Sequence, residues 1–325
     1  MSQSPFESLN VRKNNMESII IKGIKKPVSR LGLGCWQLGG HGWGINEPTK
    51  TTQAVLKALE RGITFFDTAP IYGLGESERV LGKLIKDQRD KVVVASKVGL
   101  KWETNKGFIK KNDLSPDRIR VEVKESIKRL DTDYIDLYQI HWPDLNTPLE
   151  STMNTLNCIK DEGLIKAIGV CNFSLKQLIE ATQYSEIASI QIPYSLIDRT
   201  YENIFDYCIK KKISIICYSP LAKGLLAGRF SKIVSFPSND HRKYHPYFSP
   251  REFKNNLEIA QKVSKVAREV SMTPSQCALL WVLNQPAITV AIFGATTSRQ
   301  VEENTMMDYT KISKTTLDTI IRELS

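Results

Sequence analysis

The sequence predicts an α/β protein built as a single (β/α)8 barrel of the TIM type, and three observations carry that prediction. Between Ser29 and Asn304, eight short runs rich in Ile and Val alternate with stretches of helical period. The runs are apolar throughout, as strands covered on both faces must be. The alternation occupies close to the roughly 250 residues that such barrels use. Parallel strands joined by right-handed crossovers follow from it. The rival architecture is an open doubly wound sheet, and its fingerprint is missing. LGLGCWQLGG places Gln37 where the third glycine of a dinucleotide-binding turn belongs, and no GxxxxGKS/T occurs.

The elements follow in order. Residues 1–15, MSQSPFESLNVRKNN, read as a loose, disordered extension ahead of one domain spanning 16–325. They contain no apolar segment of a secretory signal. IIIKGIKK (19–26) is expected to form an N-terminal hairpin that caps the bottom of the barrel. SRLGLGC (29–35) is the first barrel strand. TTQAVLKALERG (51–62) sets Ala54, Val55, Ala58 and Leu59 on one helix face and ends at a glycine stop. ITFFD (63–67) and VVVASK (92–97) are strands two and three. SPDRIRVEVKESIKRL (115–130) opens with a serine cap and Pro116 at the first helical position. YIDLYQIH (134–141) and IKAIGVC (165–171) are strands four and five, and SLKQLIEAT (174–182) is a helix. ASIQI (188–192), the helix YENIFDYCIKK (201–211) and ISIIC (213–217) complete strands six and seven. Leu221 to Pro250 then has weak periodicity and many Gly, Pro and Ser residues. A loop of that length in a compact domain is usually functional, and after strand seven it is placed to lie over the top face. MTPSQCALLWVLNQ (272–285) starts with a threonine and a proline, and ITVAIF (288–293) is the last strand.

Composition excludes several functions. With 41% apolar and 25% charged residues the chain is neither disordered nor collagen-like. No window approaches the roughly 20 apolar residues of a spanning helix, so no membrane partner is expected. The net charge of +10 is spread along the chain. Its clusters (Lys25-Lys26, Lys110-Lys111, Lys210 to Lys212) are too short for a nucleic-acid stripe, and no basic segment is interleaved with aromatics. Six cysteines, Cys35, Cys158, Cys171, Cys208, Cys217 and Cys277, show neither CxxC nor metal-ligand spacing, so no metal is expected. Free cysteines in apolar runs suit a reducing, cytoplasmic compartment. The sequence leaves the oligomeric state open.

Four polar residues stand at or just beyond strand ends: Asp67 ends strand two, Tyr72 follows it, Lys97 ends strand three and His141 ends strand four. In a barrel of this type the active site lies at that rim. Carbonyl reduction needs a hydride at carbon and a proton at oxygen. Tyrosine, with an ordinary pKa of about 10, is a poor acid unless a neighbouring ammonium favours its phenolate. Lys97 is placed to do so if Asp67 keeps it charged. His141 is placed to donate a hydrogen bond to the carbonyl oxygen. Each residue also has a plainer reading, since Tyr72 and His141 occur in cores and Asp67 caps turns. A lysine ending an apolar strand is harder to explain away, because burying it unpaired is costly.

The segments LGLGCWQLGG, FFDTAPIYGLGESERVLG, ASKVG, YIDLYQIHWPD, IKAIGVCNFS, YSPLAKGLLAGR and GATTSRQVEEN together resemble the aldo-keto reductase family, over Ser18 to Asp308. The resemblance implies NADPH-dependent reduction of a small-molecule aldehyde, ketone or keto-sugar. Tyr72 would be the general acid, Lys97 and Asp67 its tuning pair and His141 the carbonyl orienter. Asn172 and Gln191 would hydrogen-bond the nicotinamide carboxamide, and Tyr218 would stack on the ring. Ser219, Leu221, Gly224 and Leu225 would strap the pyrophosphate. Gly294, Thr296, Arg299, Gln300, Glu303 and Asn304 fall on the adenosine-phosphate segment. Trp36 and Trp43 would line the substrate mouth with Tyr72 and His141. Many relatives carry serine at the position of Cys171 and a basic residue at Thr296 or Thr297. Arg299 is the nearest guanidinium for a 2′-phosphate, so NADH or dual use stays open. The family also contains channel-associated β-subunits, which makes a cofactor-sensing regulatory subunit the alternative function.

Overall fold

The eight apolar runs pair as parallel strands that close on themselves. The computed structural model describes residues 17–40, 47–103, 109–230, 232, 234–306 and 312–325. The predicted extension at 1–15 and Trp43 lie outside the described residues. The barrel strands are β3 (Leu31–Gly34), β4 (Phe65–Asp67), β5 (Val93–Val98), β8 (Ile135–Ile140), β9 (Ile165–Cys171), β10 (Ile187–Pro193), β11 (Ser214–Tyr218) and β12 (Ile288–Gly294). They run in that order around the barrel, and β12 pairs with β3 to close it. Two antiparallel pairs lie outside it: β1 (Ser18–Ile19) with β2 (Val28–Ser29), and β6 (Leu100–Glu103) with β7 (Ile109–Asn112).

The helices are α1 (Pro48–Glu60), α2 (Glu76–Ile85), α3 (Pro116–Leu130), α4 (Leu149–Asp161), α5 (Leu175–Tyr184), α6 (Phe205–Lys211), α7 (Pro250–Glu269), α8 (Pro274–Leu283), α9 (Ser298–Thr305) and α10 (Lys314–Leu324). Pro116 opens α3 as expected, but Ser115 does not cap it with its side chain, because that hydroxyl donates to Asp113 at 2.7 Å instead. Ser174 and Thr273 each form a full capping box with the glutamine three residues on, Gln177 and Gln276. Two elements depart from the strand–helix alternation. The β6–β7 pair stands between β5 and α3, and α7 is inserted between the long loop and α8. No helix among the described residues is long and apolar enough to cross a membrane.

Two apolar layers result. One lies between strands and helices. The other fills the barrel, where Phe65, Val93, Leu137, Ile216 and Val290 meet Ile19, Ile21, Ile24 and Val28 of the N-terminal segment. The expected hairpin therefore plugs the barrel, although its return arm, Val28–Ser29, lies just beyond the 19–26 run. Lys26 and Arg89 both reach the buried Asp136, at 2.6 and 2.7 Å, and Lys26 thereby ties the plug to β8. The loop after β11 is ordered by its own rings: Phe236 and Phe248 pack edge to face at 4.8 Å between centroids, with Phe230 against both.

Behind β5, two carboxylates are buried. Glu78 takes Arg129 and Ser96, each at 2.6 Å. Glu122 takes Arg118 and the backbone N–H of Gly99, each at 3.2 Å. Burial pushes the Glu122 carboxyl up to about 7 against the opposing pull of Arg118 and Gly99. A carboxyl raised in the folded state stabilises fully below its unfolded value, about 4.5, and loses that stabilisation as pH rises through 7. The wild type is therefore expected to lose up to about 3 kcal/mol between pH 4.5 and 8 from this group. In urea unfolding, Glu122→Gln should flatten that slope. An unchanged slope would assign the pH dependence to other groups.

Candidate active site

The upper ends of β4, β5 and β8 bring the four polar residues to one point. Asp67 pairs in register with Ala95, and Lys97 with Gln139, so adjacent strands present their polar ends together. Lys97 Nζ donates to Asp67 Oδ2 at 2.6 Å, to the carbonyl of Thr68 at 3.0 Å and to Tyr72 Oη at 3.4 Å. The second carboxylate oxygen, Asp67 Oδ1, accepts from Gln191 at 2.7 Å and from Gln139 at 3.3 Å. The Tyr72 ring stands edge-on to His141, with centroids 6.1 Å apart, and stacks on Trp36 at 5.7 Å.

The position of Tyr72 is fixed by a backbone approach that only glycine allows. A Cβ on Gly39 would lie 2.5 Å from the amide nitrogen of Gly73 and 2.6 Å from the Tyr72 carbonyl carbon. Gly73 itself is left-handed, at φ 61°, and its Cβ would meet the Gly39 carbonyl oxygen at 2.1 Å. The chain after β3 thus presses directly on the chain after β4. Ser77, at the start of α2, donates to the Cys35 carbonyl at 2.7 Å and reinforces the same contact.

Electrostatics separates these groups. Burial alone would push the Lys97 ammonium down, but Asp67 and then Tyr72 reverse this, and Lys97 stays above its ordinary value. Burial pushes the Tyr72 phenol up to about 12, Lys97 pulls it back and Asp67 raises it further. Lys97 thus acts in the direction the sequence suggested, and burial outweighs it. Burial likewise pushes up the thiols of Cys35 and Cys171, which favours their protonated form.

A cavity of about 890 Å³ opens above this point. Most of the remaining residues singled out in the sequence line it: Trp36, Asn172, Gln191, Tyr218, Ser219, Leu221, Gly224, Gly294, Thr296, Gln300, Glu303 and Asn304. Asn172, at φ 59°, donates to the His141 carbonyl at 3.1 Å and accepts from Tyr218 Oη at 2.9 Å. Gln300 accepts from the Thr296 amide at 2.7 Å. Two residues are not brought to the wall. Leu225 is buried in the layer between strands and helices, because its side chain is apolar and finds that core. Arg299 is 87% exposed and pairs with Glu303 at 2.8 Å. The structure adds Gln139, Lys223, Arg229, Arg242, His245 and Ser275, which sequence reading passed over. Gln139 had a signal: it is the polar residue two before His141 and so shares its strand face. The basic residues belong to the aperiodic loop, where no pattern predicts direction.

The chain matches the model of the aldo/keto reductase family over residues 30–321. It belongs to the aldo-keto reductase family. It is 39% identical to aldo-keto reductase YhdN of Bacillus subtilis (strain 168) over 289 residues, 88% of this chain and 86% of that protein. It is 35% identical to an NADH-specific methylglyoxal reductase of Escherichia coli (strain K12) over 291 residues, covering 85% and 89% of the two chains. Among solved structures it resembles the glycerol dehydrogenase AKR11B4 from Gluconobacter oxydans, with TM-score 0.83, 35% identity and 94% of each chain covered. As an aldo-keto reductase it is an oxidoreductase that acts on carbonyls with a nicotinamide cofactor.

The Gly39–Gly73 contact yields a direct expectation for this aldo-keto reductase. Gly39→Ala should displace Tyr72 and lower kcat by at least about tenfold, since small misplacements of reacting groups are costly. Gly40→Ala, where a Cβ meets nothing within 4 Å but the left-handed backbone at φ 75° costs about 1–2 kcal/mol, is the neighbouring control for backbone strain without the contact. Equal kcat in the two variants would show that the contact does not hold the phenol.

Proposed function

We propose that this reductase converts an aldehyde, ketone or keto-sugar to the alcohol with NADPH, Tyr72 delivering the proton. The observation that carries the reading is the buried relay in which Lys97, 1% exposed, joins Asp67 to the Tyr72 hydroxyl at the floor of the cavity. When bound, the reduced nicotinamide supplies the hydride.

The cavity wall fits such a cofactor. Tyr218 offers an aromatic face, anchored through its hydroxyl to Asn172. The turn after β11 runs left-handed at Ser219, Ala222, Lys223 and Gly224, and Arg229 lines the cavity beyond it. A strained turn with the Arg229 guanidinium nearby suits an anionic pyrophosphate. Asn172 and Gln191 would face the carboxamide, while Gln191 also holds Asp67. Thr296, Gln300, Glu303 and Asn304 would hold the adenosine end. Arg299 would read the 2′-phosphate by leaving Glu303. Exposed pairs of this kind hold by only about 0–1 kcal/mol, so the exchange is cheap.

In the resting site Tyr72 keeps its proton through the physiological range, because burial holds the phenol at about 12. His141 would donate a hydrogen bond to the carbonyl oxygen and place it beside Tyr72 Oη. As negative charge develops on that oxygen, the phenol releases its proton to it. Lys97, fixed 3.4 Å away, then compensates the phenolate. Asp67 keeps Lys97 charged, and Gln139 and Gln191 keep Asp67 in place. After the alcohol leaves, the phenolate recovers a proton from solvent.

Tyr72→Phe is expected to lower kcat by about 10²-fold or more, the scale of general acid catalysis. NADPH binding, followed by fluorescence quenching, should persist in that variant. Full turnover in Tyr72→Phe would remove the assignment. NADPH is expected to bind more tightly than NADH, with the gap narrowing in Arg299→Ala. Equal dissociation constants in the wild type would show that Arg299 does not read the phosphate.

A further inference from the structure

The cavity wall near Tyr72 carries a positive charge that the proton relay does not use. Lys223 sits in the turn after β11 with a left-handed backbone, φ 56°, between Ala222 at 46° and Gly224 at 96°. Such strain in non-glycine residues gathers at ligand clamps. From there its ammonium lies 5.5 Å from the centre of the Trp36 ring. Trp36 stacks on Tyr72 at 5.7 Å and 15°, and His241 packs on Trp36 at 4.5 Å. The turn after β11 thus sends a cation across to the tryptophan that covers the phenol.

Among the described residues, no carboxylate is paired with this cation. Two influences act on Lys223, burial and the Arg242 guanidinium, and both push it down, to about 8. Arg242 has its own counter-ion in Asp240, at 2.9 and 3.1 Å from its Nε. His245 is pushed down to about 4 by burial, then by Lys223 and His241, so it is neutral at pH 7. Its Nδ1 accepts from the Tyr247 amide at 3.3 Å, which leaves the ring proton on Nε2 as a donor. Lys223, Arg242 and His245 all line the cavity. A partly buried ammonium without a counter-ion carries a desolvation cost, and a bound anion offsets it.

We infer that Lys223 is a specificity-determining residue that binds the carboxylate or phosphate of an anionic carbonyl substrate, with His245 and Arg242 completing the recess beside Trp36. The inference rests on the reductase reading of the site. The cofactor's pyrophosphate offers the same chemistry from another source. The contact with Trp36, which lies directly on Tyr72, favours the substrate.

Kinetics with 4-carboxybenzaldehyde and its neutral methyl ester separate these sources when the NADPH dissociation constant is measured alongside. The wild type should favour the carboxylate in kcat/KM by about tenfold or more, the effect of one charge-assisted hydrogen bond. Lys223→Met should collapse that ratio, Lys223→Arg should keep most of it, and NADPH affinity should move little in either. A wild-type preference for the ester, or a ratio that survives Lys223→Met, overturns the inference. So does a Lys223→Met variant whose main change is weakened NADPH binding, which would give the ammonium to the pyrophosphate. If the wild type reduces neither aldehyde, the reductase reading fails instead. Calorimetry with 4-(hydroxymethyl)benzoate and its methyl ester then decides the anion site without turnover. Tighter binding of the acid by the wild type, lost in Lys223→Met, upholds it, and equal binding of acid and ester overturns it.

Discussion

The Lys97–Asp67 pair is the interaction on which the upper half of this barrel depends. An ammonium that is 1% exposed survives among apolar strands only with a partner at close range, and Asp67 stands 2.6 Å away. Removing either partner would leave a buried charge and cost about 3–5 kcal/mol. The pair in turn sets demands on its neighbours. Asp67 has a second oxygen to satisfy, and the amides of Gln191 and Gln139 meet it from β10 and β8. Lys97 has donors left over, and the Thr68 carbonyl and Tyr72 hydroxyl take them. Four of the eight barrel strands are therefore tied to one ion pair, and the proposed acid is one of its ligands.

The two ends of the barrel divide the labour. At the bottom, Ile19, Ile21, Ile24 and Val28 close the interior with apolar side chains, and Asp136 clamps the plug through Lys26. That end offers stability. At the top, Asp67 ends β4, Lys97 and Gln139 stand one residue short of the ends of β5 and β8, and Gln191 stands two short of the end of β10. Closure of the bottom makes the top affordable: a rim of polar groups needs a rigid floor, and the filled interior supplies it.

How much of this was legible in the sequence follows from what each feature depends on. Strands buried on both faces leave continuous apolar runs, so all eight were readable, and their ends located Asp67, Lys97 and His141. The β6–β7 pair was not readable, because its strands, LKWE and IKKN, have no apolar run. The plug was visible as a hairpin, but its return arm needed the pairing partner of Ser18. The Gly39–Gly73 contact joins residues 34 positions apart, and no local pattern signals it. Lys223 was hidden for a related reason. Its direction is set by left-handed backbone at three successive positions, Ala222 to Gly224, which only geometry reveals.

Lys97 and Lys223 show how one residue type takes two opposite parts on the same rim. Burial pushes both ammonium groups down. For Lys97 the Asp67 carboxylate reverses the effect, and the charge becomes permanent and belongs to the protein. For Lys223 the nearest strong influence is another cation, Arg242, and the group drops to about 8. The fold thus satisfies the first charge itself, whereas among the described residues no carboxylate pairs with the second. Trp36 stands between them, stacked on Tyr72 on one side and beneath Lys223 on another. An anion drawn to Lys223 would hold its carbonyl within the reach of the phenol, so the charge the fold leaves unmatched would orient the chemistry that the matched one supports.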